Sequence, residues 1–294
     1  MLRFFRKKER PGASGTIVVG CGGGGCNIVN RLAGISAVDI LTINTDRKGL
    51  VRSRSNRRIL LGDGTINEGC GGDVGKGMSL AKDAAEMIDE HIRGHMNVVI
   101  AAGLGGGTGT GSAAVIAEMA KSNGSRVIML VSIPMSFESG RRRIATDALA
   151  DLKGKYDILI VADGDRLAEI DPLLGAREAF SVLDQMMCES FTGLMEMLEG
   201  DDGESVYRKM KGGTFTVSFA EGMIIEKVAA ALVHGLMLNA AIISEPLIFI
   251  RGNIPSGHET PISKKVLETT GRTPVFIQGP EGRGMNMVMF AEIQ

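Results

Sequence analysis

The most informative stretch of this sequence reads Gly103-Leu104-Gly105-Gly106-Gly107-Thr108-Gly109-Thr110-Gly111-Ser112. Residues 97–102 before it predict a buried strand, and residues 113–121 after it predict a helix. Glycines let the backbone approach an anion closely, and the N–H groups that open the helix then face the negative charge. Thr108, Thr110 and Ser112 would add hydroxyl donors. We therefore predict a phosphate-binding loop, which is not of the Walker A type because no lysine follows its last glycine.

Composition narrows the class of protein. The chain has 294 residues and a net charge of -1, from 33 Lys+Arg and 34 Asp+Glu, so its global charge favours neither nucleic acid nor an anionic membrane as partner. No apolar run approaches the roughly 20 residues of a membrane-spanning helix, and the first residues do not resemble a secretory signal. The four cysteines are too few for a disulfide scaffold, which predicts a reducing, cytoplasmic location.

Residues 1–15 are basic and predict a flexible tail. Two interpretations of this tail stay open. It is either a disordered segment, or a short contact with a membrane or a partner through Leu2, Phe4 and Phe5 and the neighbouring cations.

A second glycine loop follows a short buried strand predicted over residues 16–19. It reads Gly20-Cys21-Gly22-Gly23-Gly24-Gly25-Cys26-Asn27, and a helix is predicted from Ile28. Its first, third and sixth residues satisfy the dinucleotide-binding pattern G-x-G-x-x-G, which is a weak signal alone. Cys21 and Cys26 flank the glycines but lack further ligands at suitable spacing, so we predict no metal site here.

A third glycine loop, Gly69-Cys70-Gly71-Gly72-Asp73, precedes a helix predicted over about 77–92. Between the second and third loops, a strand predicted over 39–45 runs into Asp46. This carboxylate could hold a ribose, position a metal-bound water or cap a helix N-terminus. Further along, the run Arg141-Arg142-Arg143 beside Glu138 is either a solvated helix face or an anion or base contact.

The alternation of strands and helices over residues 16–165 predicts an α/β fold with a doubly wound, mostly parallel sheet. Such sheets bind ligands at the carboxyl ends of their strands, where all the glycine loops lie. An apolar stripe at helical spacing predicts a long central helix over 176–199. We divide the chain into the tail 1–15, a ligand-binding domain 16–175, the central helix with its connecting loop 176–210, and a smaller α+β domain 211–294.

The stretch GLGGGTGTGS at 103–112 is identical to the signature loop of the tubulin/FtsZ superfamily. The loops GCGGGGCN, INTD at 43–46 and CGGD at 70–73 resemble the other phosphate loops of that family. The resemblance covers roughly residues 16–294 and is closer to prokaryotic FtsZ-like proteins than to tubulin. It implies a Rossmann-like GTP-binding domain, a central helix and a second domain.

The resemblance also implies a site for GTP or GDP with Mg²⁺. Gly71 and Gly72 would approach the γ-phosphate, Glu138 and Arg142 would contact ribose and base, and Asn27 and Asp184 would read guanine, with Phe180 in the base pocket. Asp46 lies in INTD, which resembles the second phosphate loop of the family. The residues expected to hold phosphates are Gly22, Gly23, Gly24, Gly105, Gly106, Gly107, Thr108 and Gly109.

Two positions depart from the family pattern. Gly164, between Asp163 and Asp165, stands where the family has an Asn that contacts the base. The family's catalytic loop, N-x-D-F-x-D, reaches the γ-phosphate of the next subunit, but this chain has the shorter run 199–207 after its central helix. Asp201, Asp202 and Glu204 would act as substitutes in trans, or they form only a solvated acidic turn. We also expect no long C-terminal tail after Gln294.

Three functions follow from these observations. The first is a GTP-binding filament protein that assembles head-to-tail with itself or with a related FtsZ, and in which any hydrolysis is completed by the next subunit. The second is a GTP-binding scaffold or regulator with little GTPase activity, which copolymerises with or modulates a true FtsZ. The third, remote alternative is an NAD(P)-dependent oxidoreductase. None of them requires nucleic acid.

Overall fold

The computed structural model describes residues 15–33, 38–55, 57–63, 69–170, 173, 175–222, 224–236, 241–252, 259–280 and 285–294. The predicted tail, with its proposed contact through Leu2, Phe4 and Phe5, lies outside these residues except for Gly15. The chain forms two compact units, one of residues 1–129 and 140–157 and the other of residues 130–139 and 158–294.

The first unit contains a parallel sheet with its strands in the order β3-β2-β1-β4. These strands are β1 (Thr16–Cys21), β2 (Asp39–Asn44), β3 (Arg57–Leu60) and β4 (Asn97–Gly103). Runs of Val and Ile, such as 17–19 and 98–100, are fully buried, as expected for strands covered on both faces. The next strand, β5 (Arg126–Ile133), passes from the first unit into the second.

Three helices of the first unit, those that follow the glycine loops, begin earlier than the sequence predicts. The helices of this unit are α1 (Gly22–Leu32), α2 (Arg47–Val51), α3 (Val74–Asp83), α4 (Ala85–Ile92), α5 (Gly107–Ser122) and α6 (Ser139–Asp151). α1 and α5 start inside the glycine loops, whereas we predicted starts at Ile28 and Ala113. The prediction of one helix over about 77–92 is wrong, because the backbone leaves helical geometry at Ala84 (φ -94°, ψ 10°) and separates α3 from α4.

Close packing explains why glycines occupy the first turns of α5. A Cβ at Gly111 would lie 2.4 Å from the carbonyl oxygen of Val74 at the start of α3. A Cβ at Gly77 would lie 2.2 Å from the carbonyl oxygen of Gly107. The backbones of α3 and α5 therefore touch where both helices carry glycine, and this contact compensates for the low helix propensity of glycine.

The second unit contains strands in the order β6-β7-β10-β8-β9. β6 pairs with β7 and β8 with β9 in parallel, while β10 is antiparallel to β7 and β8. We predicted β7 as the first strand of a separate α+β domain and β6 as the last strand of the ligand-binding sheet. These two strands are hydrogen-bonded to each other. These strands are β6 (Ile158–Asp163), β7 (Thr214–Gly222), β8 (Leu247–Arg251), β9 (Val275–Gln278) and β10 (Met285–Ile293).

The helices of the second unit include the predicted central helix with its predicted bounds. They are α7 (Asp165–Ile170), α8 (Ala176–Glu199), α9 (Gly203–Met210), α10 (Ile225–His234) and α11 (Glu259–Thr270). The connecting loop predicted after the central helix is largely helical, because α9 occupies residues 203–210. The mostly parallel α/β fold with a long helix is confirmed. No helix in the described part of the chain combines the length and apolarity needed to cross a bilayer.

The central helix α8 is fixed to the sheet of its unit by apolar and ionic contacts. Phe191, in the predicted apolar stripe, is buried. On the same helix, Glu196 accepts a hydrogen bond from Nε of Arg251 on β8 at 2.6 Å, and Glu189 lies 3.3 Å from Nη1 of the same arginine. A half-buried ion pair of this kind orients the helix more than it stabilises the fold.

We expect the substitution Phe191→Ala to lower the free energy of unfolding by about 3–5 kcal/mol, because it opens a cavity in the core. The control is Val182→Ala on the same helix, where the side chain is exposed and the expected loss is below about 1 kcal/mol. Urea denaturation followed by circular dichroism measures both. Equal losses for the two variants would contradict the packing described for α8.

Candidate nucleotide-binding site

The two glycine loops that follow β1 and β4 lie side by side. The strands are neighbours in the sheet, with Cys21 opposite Ala102, so α1 and α5 start at adjacent points. A Cβ at Gly22 would lie 2.7 Å from the backbone nitrogen of Gly109, and one at Gly24 would lie 2.9 Å from Cα of Gly103. The N-terminal N–H groups of two helices are thereby brought to one edge of the sheet, where they can bind an anion.

Gly23 and Gly106 have a different role from the packed glycines around them. A Cβ at either position would meet no protein atom within 4 Å, and neither residue has a positive φ. Packing and backbone conformation therefore do not require glycine at these two positions. Both lie at the helix starts described above, where the backbone N–H groups could bind an anion.

The third glycine loop packs against the signature loop. Gly71 and Gly72 have φ values of 59° and 88°, which favour glycine. A Cβ at Gly107 would lie 2.6 Å from Cβ of Cys70, so the two loops are in direct contact. Asp73 ends the third loop and caps α3, its side chain accepting a hydrogen bond from the N–H of Lys76 at 2.9 Å.

A buried hydrogen-bond chain links three loops beneath this surface. The hydroxyl oxygens of Thr45 and Thr108 lie 2.7 Å apart, and Sγ of Cys70 donates to the Thr45 hydroxyl at 3.9 Å. A threonine hydroxyl has one proton and two lone pairs, so either residue can be the donor in the hydrogen bond between Thr45 and Thr108. In the arrangement in which Thr45 donates, the Thr108 proton is available for an anion in front of the signature loop.

The other hydroxyls of the signature loop are used within the loop itself. The Thr110 hydroxyl accepts a hydrogen bond from the N–H of Gly105 at 3.1 Å, and the Ser112 hydroxyl donates to the carbonyl oxygen of Thr108 at 2.7 Å. These contacts hold the loop in shape. The Ser112 proton is therefore used inside the loop, whereas the Thr108 proton can meet a ligand when Thr45 is the donor in their shared hydrogen bond.

Asp46 forms a helix N-cap, one of the three roles that the sequence left open. Its two carboxylate oxygens accept hydrogen bonds from the N–H groups of Lys48 and Gly49 at 2.9 and 3.1 Å. Its own N–H donates to Oδ1 of Asn44. The capping contacts fix the loop after β2, in which Thr45 lies.

The cysteines of the second loop are poor metal ligands. Burial raises the pKa of both Cys21 and Cys26 to about 12, so the thiolate form that binds metals is strongly disfavoured at neutral pH. Among the described residues, no group of three or more His, Cys, Asp or Glu side chains could hold a metal ion. Both thiols act as small buried side chains next to the glycines.

The residues expected to contact ribose and base are divided between the two units. Asn27 is exposed on α1 in the first unit, and Arg142 lies on α6, whose Ile144 is 3.8 Å from a Cβ built at Gly72. In the second unit, Phe180 (40% exposed) and the half-buried Asp184 are one turn apart on α8. Glu138, also in the second unit, is half-buried before α6. Their roles stay predictions.

The structure accounts for glycine at position 164. A Cβ there would lie 2.9 Å from Cγ of Met135 and 3.1 Å from the carbonyl oxygen of Ile133. Beside it, the side chain of Asp163 accepts from the N–H of Asp165, and that of Asp165 accepts from the N–H of Ser136. A side chain at 164 would displace this turn, so the departure from the family pattern is built into the local packing.

The acidic turn after α8, which the sequence predicts to act on the nucleotide of the next subunit, is short. Only residues 200–202 separate α8 from α9, and the N–H of Gly203 donates to the carbonyl oxygen of Gly200 at 3.0 Å. A Cβ at Gly203 would lie 2.0 Å from the carbonyl oxygen of Leu198, which makes glycine obligatory there. Asp201 and Asp202 are exposed, and Glu204 lies 3.4 Å from Nε of Arg208.

Comparison with known proteins agrees with this geometry. Residues 16–172 match the model of the tubulin/FtsZ family, GTPase domain. The chain belongs to the tubulin/FtsZ family. The match covers β1 to α7 and all the glycine loops described above, and it gives no support to the oxidoreductase raised by Gly20, Gly22 and Gly25.

Relatives and solved structures extend the match. Cell division protein FtsZ 2 of Methanocaldococcus jannaschii is 36% identical over 194 residues, which is 65% of this chain and 51% of the relative. The chain therefore spans about half the length of the curated relatives it matches. A solved FtsZ dimer of M. jannaschii has a TM-score of 0.82 at 28% identity, over 95% of this chain and 88% of that one. A GTPγS-bound protofilament of CetZ2 from Haloferax volcanii has a TM-score of 0.79 at 20% identity. The match covers 95% of this chain and 92% of that one, and it shows the shared fold.

Sequence reasoning missed Thr45 and Cys70 as parts of the site. Thr45 was quoted within INTD and Cys70 within CGGD, but 63 residues separate Thr45 from Thr108. The signal that could have found them is their position directly after a strand and inside a glycine loop, since the carboxyl ends of parallel strands meet at one edge.

We expect Gly106→Ala to fold normally and to lower GTP affinity roughly tenfold or more. The added methyl group meets no protein atom but would displace a phosphate from charge-assisted N–H donors, each contributing about 1.5–3 kcal/mol. Gly107→Ala is the contrasting variant, and we expect it to lose about 1–3 kcal/mol of stability because its Cβ would lie 2.5 Å from the Asp73 carbonyl oxygen. Thermal unfolding and equilibrium GTP binding measure the two effects. Unchanged GTP binding by a folded Gly106→Ala protein would exclude this loop as the phosphate site.

We expect Thr45→Val to weaken GTP binding about three- to tenfold, because Thr108 loses its buried hydrogen-bond partner. Thr45→Ser keeps the hydroxyl and should retain most of the affinity. Titration calorimetry on both variants gives the comparison. If Ser weakens binding as much as Val does, packing of the Thr45 methyl group and not the hydrogen-bond chain is what matters.

Proposed function

We propose that this protein binds GTP and assembles head-to-tail into filaments. The observation that carries the proposal is the paired start of α1 and α5, where Gly23 and Gly106 have no packing or conformational reason to be glycine. A bound polyphosphate supplies that reason. The match to the GTPase domain of the tubulin/FtsZ family supports GTP as the ligand.

The chemistry of the loops fits GTP or GDP with Mg²⁺. Backbone N–H groups at Gly22–Gly24 and Gly105–Gly109 and the Thr108 hydroxyl would hold the phosphates, with Gly71 and Gly72 next to the terminal one. Mg²⁺ would neutralise phosphate charge and keep most of its ligands as phosphate oxygens and water, in keeping with the lack of an acidic cluster among the described residues.

Guanine selectivity would come from Asp184 and Asn27. A carboxylate accepts hydrogen bonds from N1–H and the exocyclic amine of guanine, a pattern that adenine cannot match. Phe180 would stack on the base, and Glu138 and Arg142 would contact the ribose and the base edge. Gly164 contributes no side chain, so more of the selectivity would rest on Asp184.

Self-association is supported by the solved relatives, since M. jannaschii FtsZ was obtained as a dimer and CetZ2 as a protofilament. In a head-to-tail filament, the acidic turn of one subunit would face the nucleotide of the next. Asp201, Asp202 and Glu204 would then position water for attack on the γ-phosphate.

A second candidate function is a GTP-binding scaffold that hydrolyses little GTP and copolymerises with a related FtsZ. It is favoured by the three-residue link 200–202, which leaves Asp201 and Asp202 on a tight turn between two helices. A link of this length restricts how far a carboxylate can reach. The two candidates share the nucleotide site and differ only in turnover.

One experiment separates the two. We expect the purified chain to pellet with GTP and not with GDP, and phosphate release per subunit to rise steeply with protein concentration if the site is completed between subunits. Replacing the acidic turn by Asp201→Asn, Asp202→Asn and Glu204→Gln should abolish release while leaving GTP binding intact. The matched control is Asp83→Asn, Glu86→Gln and Glu90→Gln, three exposed acids on α3 and α4.

The outcomes distinguish the candidates clearly. Pelleting without release, unchanged by the acidic-turn variant, identifies the scaffold. Release that is lost in the acidic-turn variant but kept in the control identifies the GTPase. Release strictly proportional to concentration with no sedimentable polymer overturns the filament proposal, and absence of GTP binding overturns both.

A further inference from the structure

The strand order of the second unit ends in an outer strand that carries no charged side chain. This strand is β9, and in the part of the chain that the structure describes it pairs only with β8. The run from Thr273 to Pro280, which contains β9, includes no acid and no base. By contrast, the outer strand of the first unit, β3, carries Arg57 and Arg58, and charges of this kind prevent the strands of different chains from pairing.

The backbone groups of β9 alternate in direction. The N–H groups of Val275 and Gly279 donate to carbonyl oxygens on the β8 side at 2.8 and 2.7 Å. In a parallel pair every second residue directs both of its backbone groups to the same neighbour, so Ile277 also faces β8. Phe276 and Gln278 therefore direct two N–H groups and two carbonyl oxygens away from β8. We call these four groups the outer edge of β9.

The side chains of β9 are open to solvent beside this outer edge. Val275, Phe276 and Ile277 are each half-exposed, whereas residues 247–250 of the neighbouring β8 are at most 2% exposed. Phe276 packs against the core on one face of the sheet, so Ile277 lies on the other face. The strand thus presents apolar surface together with outward-facing hydrogen-bonding groups, and another strand satisfies both.

Two features limit pairing at the outer edge without preventing it. β9 is four residues long, and Pro274 and Pro280 lie close to its two ends. Because a proline has no N–H to donate, pairing with a further strand is confined to the residues between them. Phe276 and Gln278 remain, and they offer four hydrogen bonds. A partner strand must therefore be short and must match this spacing.

A second copy of β9 meets both requirements. When two copies run antiparallel with Ile277 opposite itself, Phe276 of each copy lies opposite Gln278 of the other. Residues in a hydrogen-bonded antiparallel pair exchange both of their bonds, so four hydrogen bonds use all the outward groups of both copies. Neither copy brings a charge to the contact, and the Cβ atoms of the two Ile277 side chains lie about 5 Å apart on one face.

We propose that β9 pairs with β9 of a second copy of this chain and forms a twofold symmetric dimer. The paired strands are only about 13 Å long, so they bury less than the roughly 1,200 Å² of a stable interface and the dimer dissociates readily. The pairing involves the backbone of β9 and no nucleotide. It goes beyond the proposed head-to-tail assembly, in which the two contacting surfaces differ, because here one surface meets itself.

The test is sedimentation equilibrium of the full chain, without nucleotide, over a wide range of protein concentration. We expect a reversible equilibrium between monomer and dimer. Ile277→Lys and Ile277→Glu should each weaken dimerisation about fivefold or more, because two like charges then face each other across the twofold axis. An equimolar mixture of the two variants should restore dimerisation, since Lys then faces Glu. The matched controls are Met87→Lys and Met87→Glu on α4, where the side chain is 51% exposed, with unchanged dimerisation expected.

Amide hydrogen exchange locates the contact. We expect the N–H groups of Phe276 and Gln278 to exchange fast in dilute solution and slowly in concentrated solution, whereas the N–H of Ile277, which faces β8, exchanges slowly in both. Circular dichroism confirms that each variant is folded. A chain that stays monomeric at every concentration, a mixture of the Ile277 variants that does not dimerise, or an equal loss in the Met87 controls overturns the proposal. None of these measurements uses GTP, so their outcome is separate from that of the proposed GTP binding and filament assembly.

Discussion

The close approach of backbone to backbone at the glycine-rich helix starts is the constraint on which the rest of the first unit depends. Gly22 meets Gly109, and Gly77 meets Gly107, at separations that leave no room for a Cβ. These contacts bring the N-termini of α1 and α5 together and set α3 against α5. The candidate anion site therefore follows from the helix packing. The glycines that permit the close approach also leave the N–H groups at the helix starts accessible.

The candidate phosphate loops and the acidic turn differ in how many contacts to distant parts of the chain hold them in place. The candidate phosphate loops are tied together by contacts of Thr45 with Thr108 and Cys70, which span distant parts of the chain, and Asp46 caps α2 locally. The acidic turn at 200–202 is held by a local backbone hydrogen bond, from the N–H of Gly203 to the carbonyl oxygen of Gly200. The proposed binding of nucleotide would therefore rest on a supported arrangement, and the proposed hydrolysis would rest on a short turn that reaches a nucleotide through association of subunits.

Hydrophobic periodicity and sequence motifs predicted much of this fold. Contacts between residues that are distant along the chain could not be predicted. The helix over 176–199 was predicted to its ends because its apolar stripe is uninterrupted, and the family was identified from the loop at 103–112. The starts of α1 and α5 were missed because glycine has low helix propensity, which neighbouring backbone overrides here. Contacts such as Thr45 with Thr108, or the clash that excludes a side chain at 164, join residues whose proximity no local pattern encodes.

The open space beside Gly23 and Gly106 has an evolutionary consequence. At most of the neighbouring glycines a larger residue would disturb folding, so quality control in the cell would remove the variant along with its function. At these two positions a Cβ would meet no atom within 4 Å apart from the adjoining backbone, so alanine should disturb the fold little. Selection for a stable fold alone would not preserve glycine there, whereas selection for the proposed ligand would. A lineage that ceased to need nucleotide would be free to change these residues first, while keeping an intact copy of the fold.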